Sequence, residues 1–397
     1  MRVVYSPLHL GHDITKQTVL GERVPANEVA ARAERIRATL LADGGFTVTE
    51  PAEHGPGPIL AVHDAGLLRF LEEAWPAARA SGHPYDHLTP EAIMAAGMTE
   101  GMAGRFRHET PAPDGRPGYW AFDTSTPIVA GTYAAARAAV DTALTAVDLV
   151  LDGGETAAYG LCRPPGHHAA RSMYGGFCYF NNAAIAAQEI ARRTGEPVAI
   201  LDVDYHHGNG TEQVFWRRAD VLYASIHAHP DRAYPYVLGW EDEVGEGLGE
   251  GYTLNLPQPA GCTNGQFLDA LDLALQRISA EEGSVVVVSL GLDTYRLDPI
   301  GDFALTTDAF HEAGRRVAAL GRRLVILAEG GYHVPSLGEN ARAWLRGAEG
   351  RPFDPVPAAL DAPEPERDAA TGAYVRGVWA AWSAHREQVA GWAASAV

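Results

Sequence analysis

Two aspartates and two histidines stand within the six residues from Asp202 to His207, in the run DVDYHHGNG. Carboxylate and imidazole at D-x-D-x-H spacing are ligands for a divalent cation that must keep a coordination position open. The preceding VAIL is apolar and β-branched, the pattern of a buried strand. With period two, Asp202, Asp204 and His206 share one face, and Val203, Tyr205 and His207 the other. Carboxylates gathered at the end of a buried strand are costly unless something neutralises them. Asp204 and His206 are therefore the first candidate ligand pair. Asp293, which ends the apolar run SVVVVSLGLD, can supply a third ligand from another strand. This oxygen-rich set suits Zn²⁺, and also Fe²⁺, Co²⁺ or Mn²⁺. The Gly-Asn-Gly turn then opens a helix over TEQVFW, with Asn209 or Thr211 as its expected cap.

A second cluster follows the strand pattern AAYGLC. Two prolines and Gly166 make a stiff, tight turn before His167 and His168. Adjacent imidazoles beside a metal suit proton transfer to and from water. Each needs a partner to fix its tautomer, and Asp202 and Asn209 are the natural ones. An aspartate raises a histidine's basicity more than an asparagine does, so the two should titrate differently. Tyr332 follows Glu329-Gly330-Gly331 at the end of RLVILA. Its phenol can donate to a carbonyl oxygen that is gaining charge. Phe177 and Tyr234 are candidates for the walls of an apolar channel. Any one of these residues alone would be read as packing. Their common position, just past the ends of apolar strands, is what singles them out.

The intervening elements explain that position. Arg2 to Ser6 reads as a strand, 11–25 as a loop, and Asn27 to Leu41 as a helix stopped by Asp43-Gly44-Gly45. FTVTEP and PILAVH are strand candidates, and AGLLRFLEEAW is a helix. Ile128 to Leu151 is a long alanine-rich helix. From there strands and helices alternate to Leu345. Continuous apolar strands alternating with helices predict an α/β fold with a parallel sheet covered on both faces. Ligands of such sheets sit beyond the carboxyl ends of the strands. Residues 81–127 are rich in Gly, Pro and His, and form a long insertion. Residues 351–397 begin as a Pro- and acid-rich linker and end in a helical pattern carrying Tyr374, Trp379, Trp382 and Trp392.

The 397 residues carry a net charge of −19, which disfavours nucleic acid as a partner and favours cations. Three scattered cysteines (Cys162, Cys178, Cys262) make neither a disulfide framework nor a thiolate zinc site. A reducing, cytoplasmic location fits. MRVVYSPLHL lacks the features of a signal peptide, and no run is long and apolar enough for a membrane span.

RPPGHHA (163–169), GGFCYFNNAAIAA (175–187), DVDYHHGNGT (202–211), SLGLDTYRLDP (289–299) and EGGY (329–332) resemble, in order and spacing, the histone-deacetylase superfamily. The resemblance spans roughly residues 1–348. LGERVPANEVAARAERI, TPIVAGTYAAA and the 81–127 insertion look most like the bacterial acetylpolyamine amidohydrolases. The resemblance implies an arginase/deacetylase fold: one domain over 1–350 with a central eight-stranded parallel sheet. It implies one Zn²⁺ held by Asp204, His206 and Asp293, with His167, His168, Asp202, Asn209 and Tyr332 as the catalytic group. Gly176, Phe177 and Tyr234 fall at channel positions. A structural K⁺ is implied at Asp202, Asp204, His206, Ser225 and Ile226. The implied reaction is hydrolysis of the acetyl amide of a small acetylated amine by metal-activated water. His168 is favoured as the proton shuttle, and a homodimer is expected.

Acids near the channel mouth read the distant ammonium in that branch. Here one such position carries Gln17, and Ser125 stands where another acid is expected. Glu109, Asp114 and Asp123 are the acids offered by the insertion, and Asp114 and Asp123 are the expected substrate contacts. The alternatives are an acetyl-lysine peptide deacetylase, a deacylase of another small N-acyl compound, a non-catalytic metal scaffold and a binuclear arginase-like hydrolase. The last needs a further carboxylate beside Asp293, where the chain has Thr294-Tyr295.

Overall fold

The computed structural model describes residues 1–19, 21–94 and 108–353. In chain order the elements begin with β1 (Arg2–Val4), β2 (Lys16–Val19), β3 (Glu22–Pro25), α1 (Ala31–Asp43) and β4 (Thr47–Thr49). Then come α2 (Gly57–Val62), α3 (Ala65–Ala80), α4 (Pro117–Trp120), α5 (Thr132–Leu151) and β5 (Ala157–Gly160). α6 (Asn182–Thr194), β6 (Val198–Asp202), α7 (Asn209–Phe215), β7 (Val221–Ala228) and β8 (Thr253–Gln258) follow. The series closes with α8 (Asn264–Ser279), β9 (Val285–Leu290), α9 (Thr307–Ala318), β10 (Arg323–Ala328) and α10 (Val334–Ala348).

Eight strands make one sheet in the order β4-β1-β5-β10-β9-β6-β7-β8, and every pairing in it is parallel. Alternate residues of one strand face two separate cores. Val286 and Val288 of β9 pack in one, Val285 and Val287 in the other. Both faces are thus dry, which is why these strands are unbroken apolar runs. β5, β10, β9 and β6 are consecutive in the sheet, so the turns leaving their carboxyl ends lie side by side. Those four turns carry His167 and His168, Tyr332, Asp293, and Asp204 and His206.

Several expectations need correction. PILAVH is not a strand: Gly57–Val62 is a helix with Pro58 in its first turn. Proline is at home there, and a six-residue apolar run does not by itself separate strand from helix. Residues 11–25 are not simply a loop, because β2 and β3 form an antiparallel hairpin with Gln17 opposite Val24. β6 ends at Asp202, so period-two alternation does not extend to His206. Asp202 turns to His167 instead of joining Asp204 and His206. Asn209 lies inside α7, whose N-cap is Gly208, and its side chain serves His168 rather than the helix. The predicted C-terminal linker and helix (354–397) and part of the 81–127 insertion (95–107) fall outside the described residues.

The N-terminal segment is tied to the turn after β5 by a buried charge network. Glu28 Oε1 accepts from Arg32 NH1 (2.7 Å) and from Arg163 Nε (2.8 Å). Arg163 NH1 and NH2 also donate to the carbonyls of His9 and His12. Burial alone would raise the Glu28 carboxyl, but Arg163 and Arg32 hold it down at about 2. Its contribution to stability is therefore present above the ordinary carboxyl range and is lost as pH falls toward 2. Removing one partner of such a group leaves buried charge uncompensated, at about 3–5 kcal/mol. Glu28→Gln is expected to lower unfolding free energy by about 3 kcal/mol in urea titrations at pH 7. A change below about 1 kcal/mol would show that the network is not what anchors this segment.

Candidate metal centre and active site

Asp204, His206 and Asp293 are buried, and their ligand-capable atoms all lie within 4.8 Å of one another. His206 Nδ1 is 3.1 Å from Asp293 Oδ2 and 3.3 Å from Asp204 Oδ1. Backbone N–H groups also address both carboxylates. Gly330 N–H donates to Asp204 Oδ2 (2.7 Å) and Tyr205 N–H to Asp293 Oδ1 (2.9 Å). A Cβ at Gly291 would sit 2.3 Å from Asp204 Oδ2, and one at Gly330 2.2 Å from Asp293 Oδ2. The cradle therefore requires glycine at both places. Burial pushes Asp293 above the usual carboxylate range, and the Asp204 charge adds to it. Burial also opposes a charged His206, yet Asp204 and Asp293 hold its imidazole at about 9. Two buried carboxylates against one imidazole is the donor set that a divalent cation completes. Among the described residues this is the one such cluster.

His167 and His168 lie with ring centroids 4.1 Å apart and ring planes tilted by 45°. Their partners are the expected ones: His167 Nδ1 to Asp202 Oδ2 at 3.0 Å, and His168 Nδ1 to Asn209 Oδ1 at 2.7 Å. An amide oxygen only accepts, so His168 carries its proton on Nδ1 and keeps a lone pair on Nε2. Burial opposes charge on both rings. Asp202 and Asp204 overcome it at His167, held up at about 10, whereas His168 falls well below the usual imidazole range beside His167 and His206. The pair is thus split into a cation and a neutral base.

Tyr332 is buried, with the Arg32 guanidinium 4.5 Å from the centre of its ring. Arg32 also donates to the carbonyls of Gly331 (2.5 Å) and Glu329 (2.7 Å). Glu329 Oε2 accepts from Gly166 and His167 N–H (2.6 and 3.1 Å), tying the tyrosine's turn to the histidines' turn. Sequence reasoning assigned no role to Arg32, Glu28 or Glu329. Their signal is tertiary, since their partners lie well over a hundred residues away in the chain: backbone groups for Arg32 and Glu329, the Arg163 side chain for Glu28.

A cavity of about 900 Å³ reaches His168, His206 and Tyr332 and extends to the hairpin residues Gln17, Glu22 and Val24. Gly176, Phe177 and Tyr234 line it, as expected. Gly176 and Phe177 both have positive φ (58° and 66°), and a Cβ at Gly176 would strike the His168 ring. Asp123 also lines the cavity, but its Oδ2 is occupied by Gly176 N–H (2.7 Å), Ser125 Oγ–H (2.9 Å) and Tyr234 O–H (2.9 Å). It acts as a wall post more than a free anion. Asp114 does not line the cavity; it pairs with His83 at 2.8 Å and is exposed. Glu109 is likewise occupied, by Arg116 and Trp120. Gln17 is buried, and its Oε1 accepts from Asn27 N–H (3.1 Å), so its amide N–H₂ is the end left over. Ser225 and Ile226 are fully buried on β7, with Ser225 in register with Asp202.

Because the donor set gathers only in the folded chain, a bound cation must stabilise the fold. Chelator-stripped protein is expected to gain several degrees in Tm when Zn²⁺ is added, in calorimetric scans. Asp293→Asn should remove most of that gain. An equal gain in both proteins would place the cation elsewhere.

The Histone deacetylase domain profile matches residues 26–348. The acetylpolyamine amidohydrolase of Mycoplana ramosa is 41% identical over 350 residues, covering 88% of this chain and 100% of that protein. Acetylpolyamine amidohydrolase 1 of Pseudomonas aeruginosa is 42% identical over 353 residues, covering 88% and 99%. The crystal structure of the acetylpolyamine aminohydrolase from Burkholderia pseudomallei superposes with a TM-score of 0.82 at 40% identity, over 87% of this chain and 98% of that one. The chain belongs to the histone deacetylase family, as its motifs led one to expect.

Proposed function

We propose that this member of the histone deacetylase family is a zinc-dependent hydrolase that removes acetyl groups from small acetylated amines, with acetylpolyamines as the expected class. One observation carries the reading. The turns after four adjacent strands bring the Asp204–His206–Asp293 cluster, the His167–His168 pair and Tyr332 together, and His206, His168 and Tyr332 line one cavity. Asp204, His206 and Asp293 would hold the metal, Zn²⁺ first, with Fe²⁺ or Co²⁺ as alternatives. Such a cation, when bound, polarises the amide carbonyl and acidifies water.

The chain's own groups do the rest. Tyr332 donates its phenolic hydrogen to the amide oxygen as that oxygen gains charge. His168, neutral and with Nε2 free to accept, takes the proton from the attacking water and returns it to the leaving nitrogen. His167, kept cationic by Asp202, supplies fixed positive charge beside the reacting centre. Phe177 and Tyr234 hold the linear chain of the amine between aromatic walls. A structural K⁺ at Asp202, Asp204, His206, Ser225 and Ile226 fits the buried negative charge there. Homodimer assembly and a cytoplasmic location complete the reading, and the free, buried cysteines are compatible with the second.

A second reading, hydrolysis of another small N-acyl compound, is favoured by Gln17. Its side chain offers the cavity a donor where an ammonium needs an acceptor, and Asp123 is already saturated on Oδ2. Acetylputrescine, acetylcadaverine, acetylspermidine and an acetyl-lysine peptide form the deciding panel. Turnover of the peptide alone would overturn the substrate class. Tyr332→Phe is expected to lower kcat by about 10²–10³ with KM little changed, the usual loss for one transition-state donor. Unchanged turnover would remove Tyr332 from the reaction. Gln17→Glu should raise kcat/KM for acetylputrescine about tenfold over its uncharged hydroxyl-ended analogue. No shift in that ratio would show that this position does not read the distal group.

A further inference from the structure

Tyr332 stands on a five-residue turn, 329–333, between β10 and α10, and two glycines precede it. Such a turn has no side-chain packing of its own at Gly330 and Gly331, so its shape depends on where its backbone groups bond. The N–H of Glu329 goes to the Leu290 carbonyl and that of Gly330 to Asp204 Oδ2. The next N–H groups, of Tyr332 (2.6 Å) and His333 (3.2 Å), both go to one atom, Asp298 Oδ2. The other oxygen of Asp298 accepts from Ile300 N–H at 3.1 Å, and Asp298 N–H donates to the Tyr295 carbonyl at 2.8 Å. Asp298 is itself buried. A carboxylate committed to three backbone donors, and set by its own backbone, is a rigid post. Arg32 grips the same turn from its carbonyl side, through Gly331 and Glu329.

We propose that Asp298 is the positioning residue for Tyr332: its carboxylate fixes the Tyr332 and His333 N–H groups and so aims the phenol into the cavity. Asp298 does not line the cavity. It acts only through the backbone of the tyrosine. A hydrogen bond to Tyr332 N–H fixes the start of the side chain, while Phe177, 5.8 Å away ring to ring, and Arg32 bound the ring. Loss of the carboxylate should leave the two N–H groups buried without an acceptor, and the turn would rearrange to find one. Glycine at 330 and 331 makes that rearrangement easy. The aim of the phenol would be lost before the fold is.

The inference rests on the proposed role of Tyr332 in hydrolysis, so its test has one arm that needs no turnover. In metal-free protein labelled with ¹³Cζ-tyrosine, the line absent from Tyr332→Phe is the Tyr332 line. In Asp298→Ala that line is expected to broaden or split, with the other tyrosine lines unmoved. In Asp298→Asn, which keeps one acceptor oxygen for the two N–H groups, it should stay single. The second arm is a double-mutant cycle on the best substrate of the panel. Asp298→Ala should lower kcat at least tenfold with KM within about threefold, and Asp298→Asn should recover much of that loss. In the Tyr332→Phe background the same change should cost less than about threefold. An unmoved Tyr332 line in Asp298→Ala overturns the proposal, whatever the activity. So does an equal loss of kcat in the two backgrounds, which would mean that Asp298 acts through something other than Tyr332. A Tyr332 line that broadens or splits in Asp298→Ala, together with no turnover in the wild type, leaves Asp298 in place as the post and removes only the hydrolytic reading.

Discussion

The dominant constraint is negative charge buried at the ends of adjacent parallel strands. Asp202, Asp204 and Asp293 are all fully buried, where an uncompensated carboxylate is several kcal/mol unfavourable. The surrounding structure is largely compensation. His167 and Tyr223 address Asp202, His206 lies between Asp204 and Asp293, and the N–H groups of Gly330 and Tyr205 donate to Asp204 and Asp293. What is left is an electron-rich pocket formed by Asp204, His206 and Asp293, which favours a cation over any neutral ligand. The same field divides the tandem histidines. Asp202 and Asp204 hold one ring cationic against burial, and burial together with that cation keeps its neighbour neutral.

A parallel sheet brings the four turns together, but it does not by itself register them to the tolerance that catalysis requires. Cross-ties between turns do this. Glu329 links the tyrosine's turn to the histidines' turn, Gly330 N–H links it to Asp204, and Gly330 C=O accepts from Leu292 N–H beside Asp293. Below them, Arg32 and Arg163 share Glu28, so the N-terminal segment that shapes the cavity mouth is fastened to the turns that carry the chemistry. Apart from the Arg32–Glu28 pair, each tie joins residues distant in the chain, which makes the centre a product of the whole domain.

That distinction explains what was legible in the sequence. The strands β6, β7, β9 and β10 were plain, because burial on both faces leaves mostly apolar residues. The ligand cluster was plain for the opposite reason: acids and imidazoles at the end of such a run have no structural excuse. The partners of the tandem histidines were legible from chemistry and from family resemblance together. The hairpin β2–β3 was not, since KQTV and ERVP carry no clear alternation and lie apart from the main sheet. PILAVH misled because a short apolar run fits a buried strand or a buried helix equally well. The acids of the insertion are a different case. Asp114 and Glu109 are acidic as an amine site requires, but their charge is spent on His83 and on Arg116. Glu329 and Asp298 stood inside quoted motifs with no role, since accepting backbone N–H groups from a distant turn leaves no pattern in the chain.

The central claim is a mononuclear cation centre formed by Asp204, His206 and Asp293. Anomalous diffraction at the zinc edge, from crystals grown with Zn²⁺, tests it most directly. One peak per chain is expected, within coordination distance of His206 Nδ1 and of a carboxylate oxygen from each aspartate. No peak at that position, or two peaks bridged by the carboxylates, would contradict it.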